Sequence, residues 1–582
     1  MILRARMKTH SRKDPRGAVA AAAVLCAVVS VLCVRSAPLL YHNDAVHYVS
    51  LAEHLARGQG YRSAVHFFHD LMQPPLFPML IAAVAPLMGS AAQAAVLVCV
   101  LAQVAALLAL VRLHRAVWGP SGVLATATVA AVYPNLAFGG ALTLEPVFLC
   151  LLAWATVAAV AAGRRGSAPH AGVCGLLAGL ALLVRPEVVV TVPVLAALLW
   201  LWPRANETGT GRRRRAVWLL AFGAAVAVVV IPYGLWIESK LGYFEVLPKV
   251  RYNIPVADIN DHMAWDTDER ELIARDQRTH YSLMPDRATF VLNRGFVDPT
   301  FDPRTMYPRR PDEPAAKGTA RAVVQTAVEI AREGVAYTGL FNPVLAALLV
   351  LGAWRGLRRG RDESAHDPAA GVGAPPPGER ERRVLAGALV ALVACHLGPA
   401  LVSGDDLEMR YVAASMLFAV PLIGGGAGRV VHIAAARWPR LSRGGWEWIV
   451  AASLVVAYGV LTARTLGNLS GGRAIRERTE AVERACNRLV PEGAGIMADK
   501  LRFGILRGGR SLHLPYVRSL DELVAYATHH RVDYAILDAR TLRKNPSRIN
   551  RALVDPSAWP PGWTPIAHLF QDDTPIWIAK VR

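Results

Sequence analysis

Long apolar runs, separated by short polar bursts, dominate the pattern of this chain. A helix needs about 20 mainly apolar residues to cross about 30 Å of hydrocarbon, because it rises about 1.5 Å per residue. Runs of that kind predict eleven membrane spans, at 17–39, 91–111, 121–138, 144–162, 171–185, 187–202, 216–237, 335–354, 384–402, 411–427 and 446–463. The pattern therefore predicts an α-helical polytopic membrane protein.

A twelfth apolar run, at 75–89, is shorter and contains Pro78 and Pro86. Lys and Arg in short loops stay cytoplasmic, so a correct threading places the basic bursts on one side. If 75–89 crossed the membrane, the basic N-terminus (1–16) and all later bursts would lie on opposite sides. We therefore predict a non-spanning helix at 75–89, a cytoplasmic N-terminus and a C-terminus outside.

This threading divides the chain into three parts. The basic N-terminus precedes a transmembrane module at 17–463, which includes a flexible cytoplasmic linker at 355–383. From 464 to 582 the periodicity changes, and short β-like runs alternate with amphipathic helical ones. We expect a small extracytoplasmic α/β domain there, with strands at GIMAD, SLHLP, YAILDA, TPIAHLF and PIWIAKV.

Composition narrows the class of protein further. Of the 582 residues, 53% are hydrophobic and 19% are charged, and the net charge is +20. The bursts of Lys and Arg lack the interleaved aromatics of a nucleic-acid surface, so no nucleic-acid partner is expected. Disorder and a disulfide-stapled fold are excluded by the same composition, and the seven cysteines show neither zinc nor disulfide spacing. The basic surplus is largely a signal of topology.

The few charges at the outer ends of helices are the candidates for chemistry, because ionisable groups in or beside spans are costly. Asp44 heads a helix in the first outer loop (40–90), where it serves either a site or only the helix dipole. Glu145 lies at the mouth of a span. Arg185 and Glu187 interrupt an apolar run, either as part of a site or as a tight turn with a snorkelling arginine. Arg410 and Tyr411 lie at another outer helix end.

The order of these motifs resembles the GT-C superfamily of integral-membrane glycosyltransferases. The resemblance rests on the acid of the first outer loop, the PPL that begins at Pro74, LTLEP ending at Pro146, VRP around Arg185, and RY at Arg410 and Tyr411. It covers roughly 17–430 and is greatest to glycosyltransferase family 39, the branch of protein O-mannosyltransferases and aminoarabinose transferases.

The resemblance implies a reaction at the outer face of the inner (plasma) membrane. Such enzymes transfer a hexose or pentose from a polyprenyl-phosphate donor to a lipid, glycan or protein acceptor. By similarity, Asp44 is the catalytic general base of an inverting displacement and Glu145 is the second catalytic carboxylate. Arg185 and Arg410, with Tyr411, are the expected contacts of the donor phosphate.

Three other predictions concern the outer loops. Lys249 and Arg251 lie near the membrane entry of the long loop at 238–334 and are further candidates for the phosphate, while the loop itself is expected to cover the site. Gln73 stands where the aminoarabinose branch has a lysine before PPL. The nearby His66 and His69 either substitute for that lysine at the substrate or are solvated loop residues.

No cofactor is required by this interpretation, and no metal ligand is assigned. Asn43, Asp44 and Glu145 could still supply hard oxygen ligands to a divalent cation. Asp44-Ala45 replaces the Asp-Glu of protein-modifying relatives, so the acceptor need not be a protein. The alternative functions are a lipid-linked glycan flippase or transporter, and an envelope polysaccharide polymerase or ligase.

Overall fold

The computed structural model describes most of the predicted helices and the region near the C-terminus. The described residues are 15–36, 43–61, 73–132, 144–203, 210–241, 244, 246, 343–357, 378–403, 413–498, 511–514, 519–529, 531–543, 548–570 and 574–582.

The bundle is built from thirteen described α-helices that precede the first strand. They are α1 (Pro15–Ser36), α2 (Asn43–Ala56), α3 (Leu76–Met88), α4 (Ala91–Trp118), α5 (Val123–Val132), α6 (Glu145–Arg165), α7 (Ala168–Leu182), α8 (Thr191–Leu201), α9 (Thr210–Leu241), α10 (Pro343–Leu357), α11 (Glu379–Ser403), α12 (Ala413–Arg437) and α13 (Arg443–Leu489). A 3₁₀ helix at Pro186–Val190 leads into α8. One continuous apolar core runs through the bundle.

The chain is a multi-pass membrane protein. Among the described residues, four helices are long and apolar enough to cross a membrane, and they lie at Ala91–Trp118, Glu145–Arg165, Gly211–Ser239 and Leu417–Arg437. Their exposed faces carry large apolar side chains, such as Leu101 and Leu220, as expected for helices that face lipid. The helical class is confirmed, whereas the count of eleven crossings stays a prediction.

Helices α10 and α12 cross with their backbones in close contact. A Cβ built on Gly352 would overlap the carbonyl oxygen of Leu422, and one built on Gly426 would overlap that of Leu348. Only glycine leaves room for this approach, because any larger residue would place its Cβ inside the facing backbone. Small residues at crossings of this kind let membrane helices gain dispersion contacts that lipid would not supply.

The two shortest helices of the N-terminal part, α2 and α3, pack together. The rings of Tyr48 on α2 and Phe77 on α3 meet edge to face, with centroids 5.3 Å apart. The amide of Leu76, at the start of α3, donates to the carbonyl of Leu183 at 3.0 Å. Since Leu183 directly follows α7, the beginning of α3 is fixed beside the Arg185 turn.

Helix α13 is a single element of 47 residues. The sequence interpretation divides the chain at 464, between the span at 446–463 and an amphipathic helix near 474–490, but the structure joins the two without a break. The last turns of α13 pack Val482, Ala485 and Cys486 against Ile496 and Ile578 of the sheet.

A five-stranded sheet lies near the C-terminus, with strands β1 (Ile496–Ala498), β2 (Ser511–His513), β3 (Tyr534–Asp538), β4 (Thr564–Leu569) and β5 (Ile576–Lys580). All five lie within the predicted segments. The strand order is β2-β1-β3-β5-β4, in which β1 pairs parallel with β2 and β3, and β5 pairs antiparallel with β3 and β4.

Arg478 fastens α13 to this sheet. Its guanidinium donates to Thr574, lies 3.7 Å from the carboxylate of Asp538, and stacks over the ring of Phe570 at 4.6 Å. Both members of the ion pair are largely buried. The sheet is thus tied to the helix by an ion pair and by the apolar contacts of its last turns.

Candidate active site

Glu145 begins α6 and is followed by Pro146, whose fixed φ and missing N–H suit the first turn of a helix. The carboxylate lies at the positive end of the helix dipole, but it is buried, with only 9% of its side chain exposed. A charge withdrawn from water in this way needs a partner. The sequence around Glu145 contains no Lys or Arg, so its partner has to come from elsewhere.

That partner is Arg185, 40 residues later. Helix α7 ends at Leu182, and the amides of Val184 and Arg185 both donate to the carbonyl of Ala181, which turns the chain tightly. The turn directs the Arg185 side chain towards α6, where Nη1 donates to Oε1 of Glu145 at 2.8 Å. The Arg185 side chain is also only 9% exposed.

Arg185 binds a second carboxylate on its other edge. Its Nη2 and Nε donate to the two oxygens of Glu187 at 2.9 and 3.2 Å, in a side-on, two-bond geometry. Glu187 follows Pro186 in the 3₁₀ helix, and its side chain is 38% exposed. The cluster therefore has a buried carboxylate, a buried guanidinium and a carboxylate that reaches solvent.

One oxygen of the buried Glu145 carboxylate makes no hydrogen bond within the described part of the chain. Oε2 of Glu145 is inaccessible to solvent and has no hydrogen-bond partner among the residues that the structure describes. An unsatisfied buried acceptor costs about 1–3 kcal/mol or more when charged. An unsatisfied buried polar group in a native fold needs an explanation, and a role in catalysis or ligand binding is one.

Aromatic side chains pack against one side of the cluster. The guanidinium of Arg185 lies over the ring of Phe148, 5.6 Å from its centroid. Phe148 meets His396 of α11 edge to face, and His396 stacks on Phe418 of α12. His396 also shares a 2.8 Å hydrogen bond with Thr191, the first residue of α8. The packing thus joins three further helices to the Arg185 turn.

Sequence reasoning assigned no role to His396 or Thr191. His396 is the only histidine in its apolar run, and a lone ionisable residue inside a span is itself a functional signal. Thr191 gives no such signal, because threonine is common in membrane helices.

Asp44 lies at the start of α2, and Gln73 lies just before α3. Asp44 lies in the first turn of α2, one turn before Tyr48, which packs on α3; the Asp44 side chain is outside the described residues. Gln73 is buried just before α3, and its carbonyl accepts a 2.8 Å hydrogen bond from the hydroxyl of Tyr61. Tyr61 in turn meets Trp236 of α9 edge to face.

Six other predicted site residues lie outside the described residues: His66, His69, Lys249, Arg251, Arg410 and Tyr411. Within the described ranges, no group of three or more His, Cys, Asp or Glu side chains is arranged to hold a metal ion. Of the predicted set, the structure brings Glu145 and Arg185 into direct contact and adds Glu187 to them.

Comparisons with known proteins concern the fold and the segment that contains this cluster. A family model described as dolichyl-phosphate-mannose-protein mannosyltransferase matches residues 72–236, a segment that contains Gln73, Glu145 and Arg185. A search of curated protein sequences gives no significant match. The resemblance to GT-C membrane glycosyltransferases of the family 39 branch is confirmed.

Two solved structures show how far the fold is shared. The first is ArnT from Cupriavidus metallidurans bound to undecaprenyl phosphate, with a TM-score of 0.57 and 13% identity over 97% of this chain and 98% of that one. The second is the oligosaccharyltransferase AglB from Archaeoglobus fulgidus, in complex with an inhibitory peptide and a dolichol-phosphate. It has a TM-score of 0.52 and 12% identity over 93% of this chain and 72% of that one. At these identities the likeness concerns the fold.

Proposed function

We propose that this protein is a glycosyltransferase that transfers a sugar from a polyprenyl-phosphate donor to an acceptor at the outer face of the cytoplasmic membrane. The observation that carries the proposal is the buried Glu145–Arg185 pair, which is built from two separate elements at helix ends within a GT-C fold. The family match at 72–236 and the polyprenyl phosphate bound to ArnT support the choice of donor.

The reaction is an inverting displacement at the anomeric carbon. The acceptor oxygen forms a bond to that carbon while the bond to the phosphate oxygen breaks, and the electron pair leaves with the polyprenyl phosphate. Asp44 takes the proton of the acceptor hydroxyl as general base, and a single base without a separate nucleophile gives inversion. The leaving phosphate is already stabilised, so cations rather than a strong acid are required around it.

Glu145 and Arg185 have separate roles in binding the substrates. Oε2 of Glu145, which is buried and has no partner in the described part of the chain, is suited to accept a hydrogen bond from a sugar or acceptor hydroxyl. Arg185 contacts the donor phosphate, and Arg410, Tyr411, Lys249 and Arg251 are the further candidates for that role. Gln73, His66 and His69 are the candidates for contacts with the acceptor. No cofactor is required, and the carboxylates are the groups that a divalent cation would bind.

The test compares cells that lack the protein with cells that express it, using mass spectrometry of lipid-linked sugars and envelope glycans. We expect one polyprenyl-phosphate sugar to accumulate in the absence of the protein, and one glycan modification to disappear. Asp44→Asn and Glu145→Gln should reproduce this loss at normal protein levels. Unchanged glycans with altered sidedness of a lipid-linked sugar would contradict the proposal and favour a flippase.

Glu381→Gln is a matched control for Glu145→Gln. Glu381 on α11 lies 3.8 Å from Arg164, and Arg164 is near the other end of α6. Both side chains are about one-third exposed. The control removes the same charge from an ion pair that also involves α6, and it does not touch the candidate site. We expect it to restore transfer fully.

A further inference from the structure

The two carboxylates on Arg185 hold it in different ways. Glu145 accepts one hydrogen bond from Nη1, whereas Glu187 accepts two parallel ones from Nη2 and Nε. The second arrangement is the side-on fork by which a guanidinium also binds two oxygens of a phosphate. The Glu187 carboxylate therefore occupies the edge of Arg185 that a phosphate would use.

Charge decides whether a phosphate can bind beside both carboxylates. Both carboxylates lie within hydrogen-bond distance of Arg185, so an incoming phosphate monoanion or dianion would be repelled by two like charges at close range. If one carboxylate leaves, the remaining Glu145–Arg185 pair is neutral and the vacated fork presents its hydrogen-bond donors to the phosphate. Arg185 can thus bind a donor phosphate well only by releasing a carboxylate.

Exposure decides which carboxylate leaves. The side chain of Glu145 is 9% exposed and begins a helix inside the apolar core, whereas that of Glu187 is 38% exposed. Returning a carboxylate to water is easiest for the one that is already partly hydrated, because little rearrangement of the core is needed. Glu187 is thus the carboxylate that releases Arg185, and Glu145 is the one that stays bound to it.

We propose that Glu187 is an internal competitor for the phosphate of the polyprenyl carrier. It occupies the Arg185 fork in the free protein, swings into solvent when the phosphate binds, and returns to displace polyprenyl phosphate after transfer. It thereby sets a moderate affinity for the lipid carrier and promotes product release. The inference rests on the proposed function, in particular on Arg185 as a phosphate contact.

The test is binding of undecaprenyl phosphate to the full-length protein in detergent, measured by native mass spectrometry. Glu187→Gln keeps the size of the side chain but removes the competing charge, so we expect about 3- to 10-fold tighter binding, in line with the strength of a partly exposed ion pair. Glu145→Gln removes the carboxylate that shares Arg185 with Glu187, so Glu187 holds the fork more tightly and binding of undecaprenyl phosphate should weaken. Glu381→Gln should bind like the wild type.

The opposite signs separate competition from a structural role. If Glu187 only supported Arg185, Glu187→Gln would bind undecaprenyl phosphate as the wild type does or more weakly, and either result overturns the inference. A wild-type protein that neither binds undecaprenyl phosphate nor alters envelope glycans would instead overturn the proposed function. Where transfer can be assayed, Glu187→Gln should lower the KM for the donor and also lower kcat, because product release becomes slower.

Discussion

Gly352→Ala should destabilise the bundle, although alanine is the better helix former. A Cβ at this position would overlap the Leu422 carbonyl oxygen and lie 2.8 Å from its carbon and 2.9 Å from the amide nitrogen of Gly426. Ordinary van der Waals contacts begin near 3.4 Å. The carbonyl oxygen would lie closer still, so helices α10 and α12 must separate by more than about 1 Å at this crossing. A backbone carbonyl cannot rotate away as a side chain can.

The magnitude follows from two opposing effects. Overpacking a tight contact costs about 1–3 kcal/mol, and more where backbone must move. Replacing a helical glycine by alanine gains about 1 kcal/mol in intrinsic preference. Because the obstacle here is backbone on both sides of the crossing, we expect the cost of overpacking to prevail, with a net loss of about 2 kcal/mol.

The assay is thermal stability in detergent, followed by the loss of the monodisperse peak in size-exclusion chromatography. Gly223→Ala is the matched control, because Gly223 lies within α9 and a Cβ there meets nothing within 4 Å. Gly223→Ala should equal or exceed the wild-type midpoint, whereas Gly352→Ala should fall several degrees below it. Equal midpoints for the two variants would refute the argument from helix contact.

Three further predictions concern charged groups. Arg185→Met leaves the Glu145 carboxylate buried without a counter-ion, which should lower stability by about 3–5 kcal/mol in the same thermal assay, and an unchanged midpoint would contradict the buried pair. Arg478→Ala removes the link between α13 and the sheet, so limited proteolysis should cleave the C-terminal region faster while the bundle stays intact. Burial raises the pKa of Glu53 on α2. The folded protein therefore holds that proton more tightly than the unfolded chain, and stability should fall as pH rises from the ordinary glutamate pKa through the raised one. Glu53→Gln should flatten this slope.

The parts of the fold that depend on local pattern could be predicted from the sequence. The strands around Met497 and Ile536 are short β-branched or apolar runs bounded by polar residues, and both lie where the pattern places them. The non-spanning helix at 75–89 also forms as a helix, α3, although its position relative to a membrane stays a prediction. The continuous α13 was not predicted, because polar residues near 464–474 suit a linker as well as a helix that leaves the hydrocarbon.

The contacts of the site depend on pairs that are distant along the chain. Glu145 was predicted as a candidate because it is a lone acid at the mouth of a span, but its partner lies 40 residues away beyond a complete helix hairpin. Nothing in the local sequence tells which edge of Arg185 meets which carboxylate, since that depends on how α7 turns at Ala181. The stack of Phe148, His396 and Phe418 joins three helices, and no single stretch of sequence contains it.

The length of α13 gives the sheet a mechanical relation to the bundle. At about 1.5 Å per residue its 47 residues extend about 70 Å, more than twice the roughly 30 Å of a hydrocarbon layer. The helix is held by the bundle at one end and clamped to the sheet through Arg478 at the other. It therefore acts as a lever: a tilt of about 5° at the bundle would move the far end by about 6 Å over that length. Small rearrangements among the membrane helices would reach the sheet as displacements wider than a strand spacing.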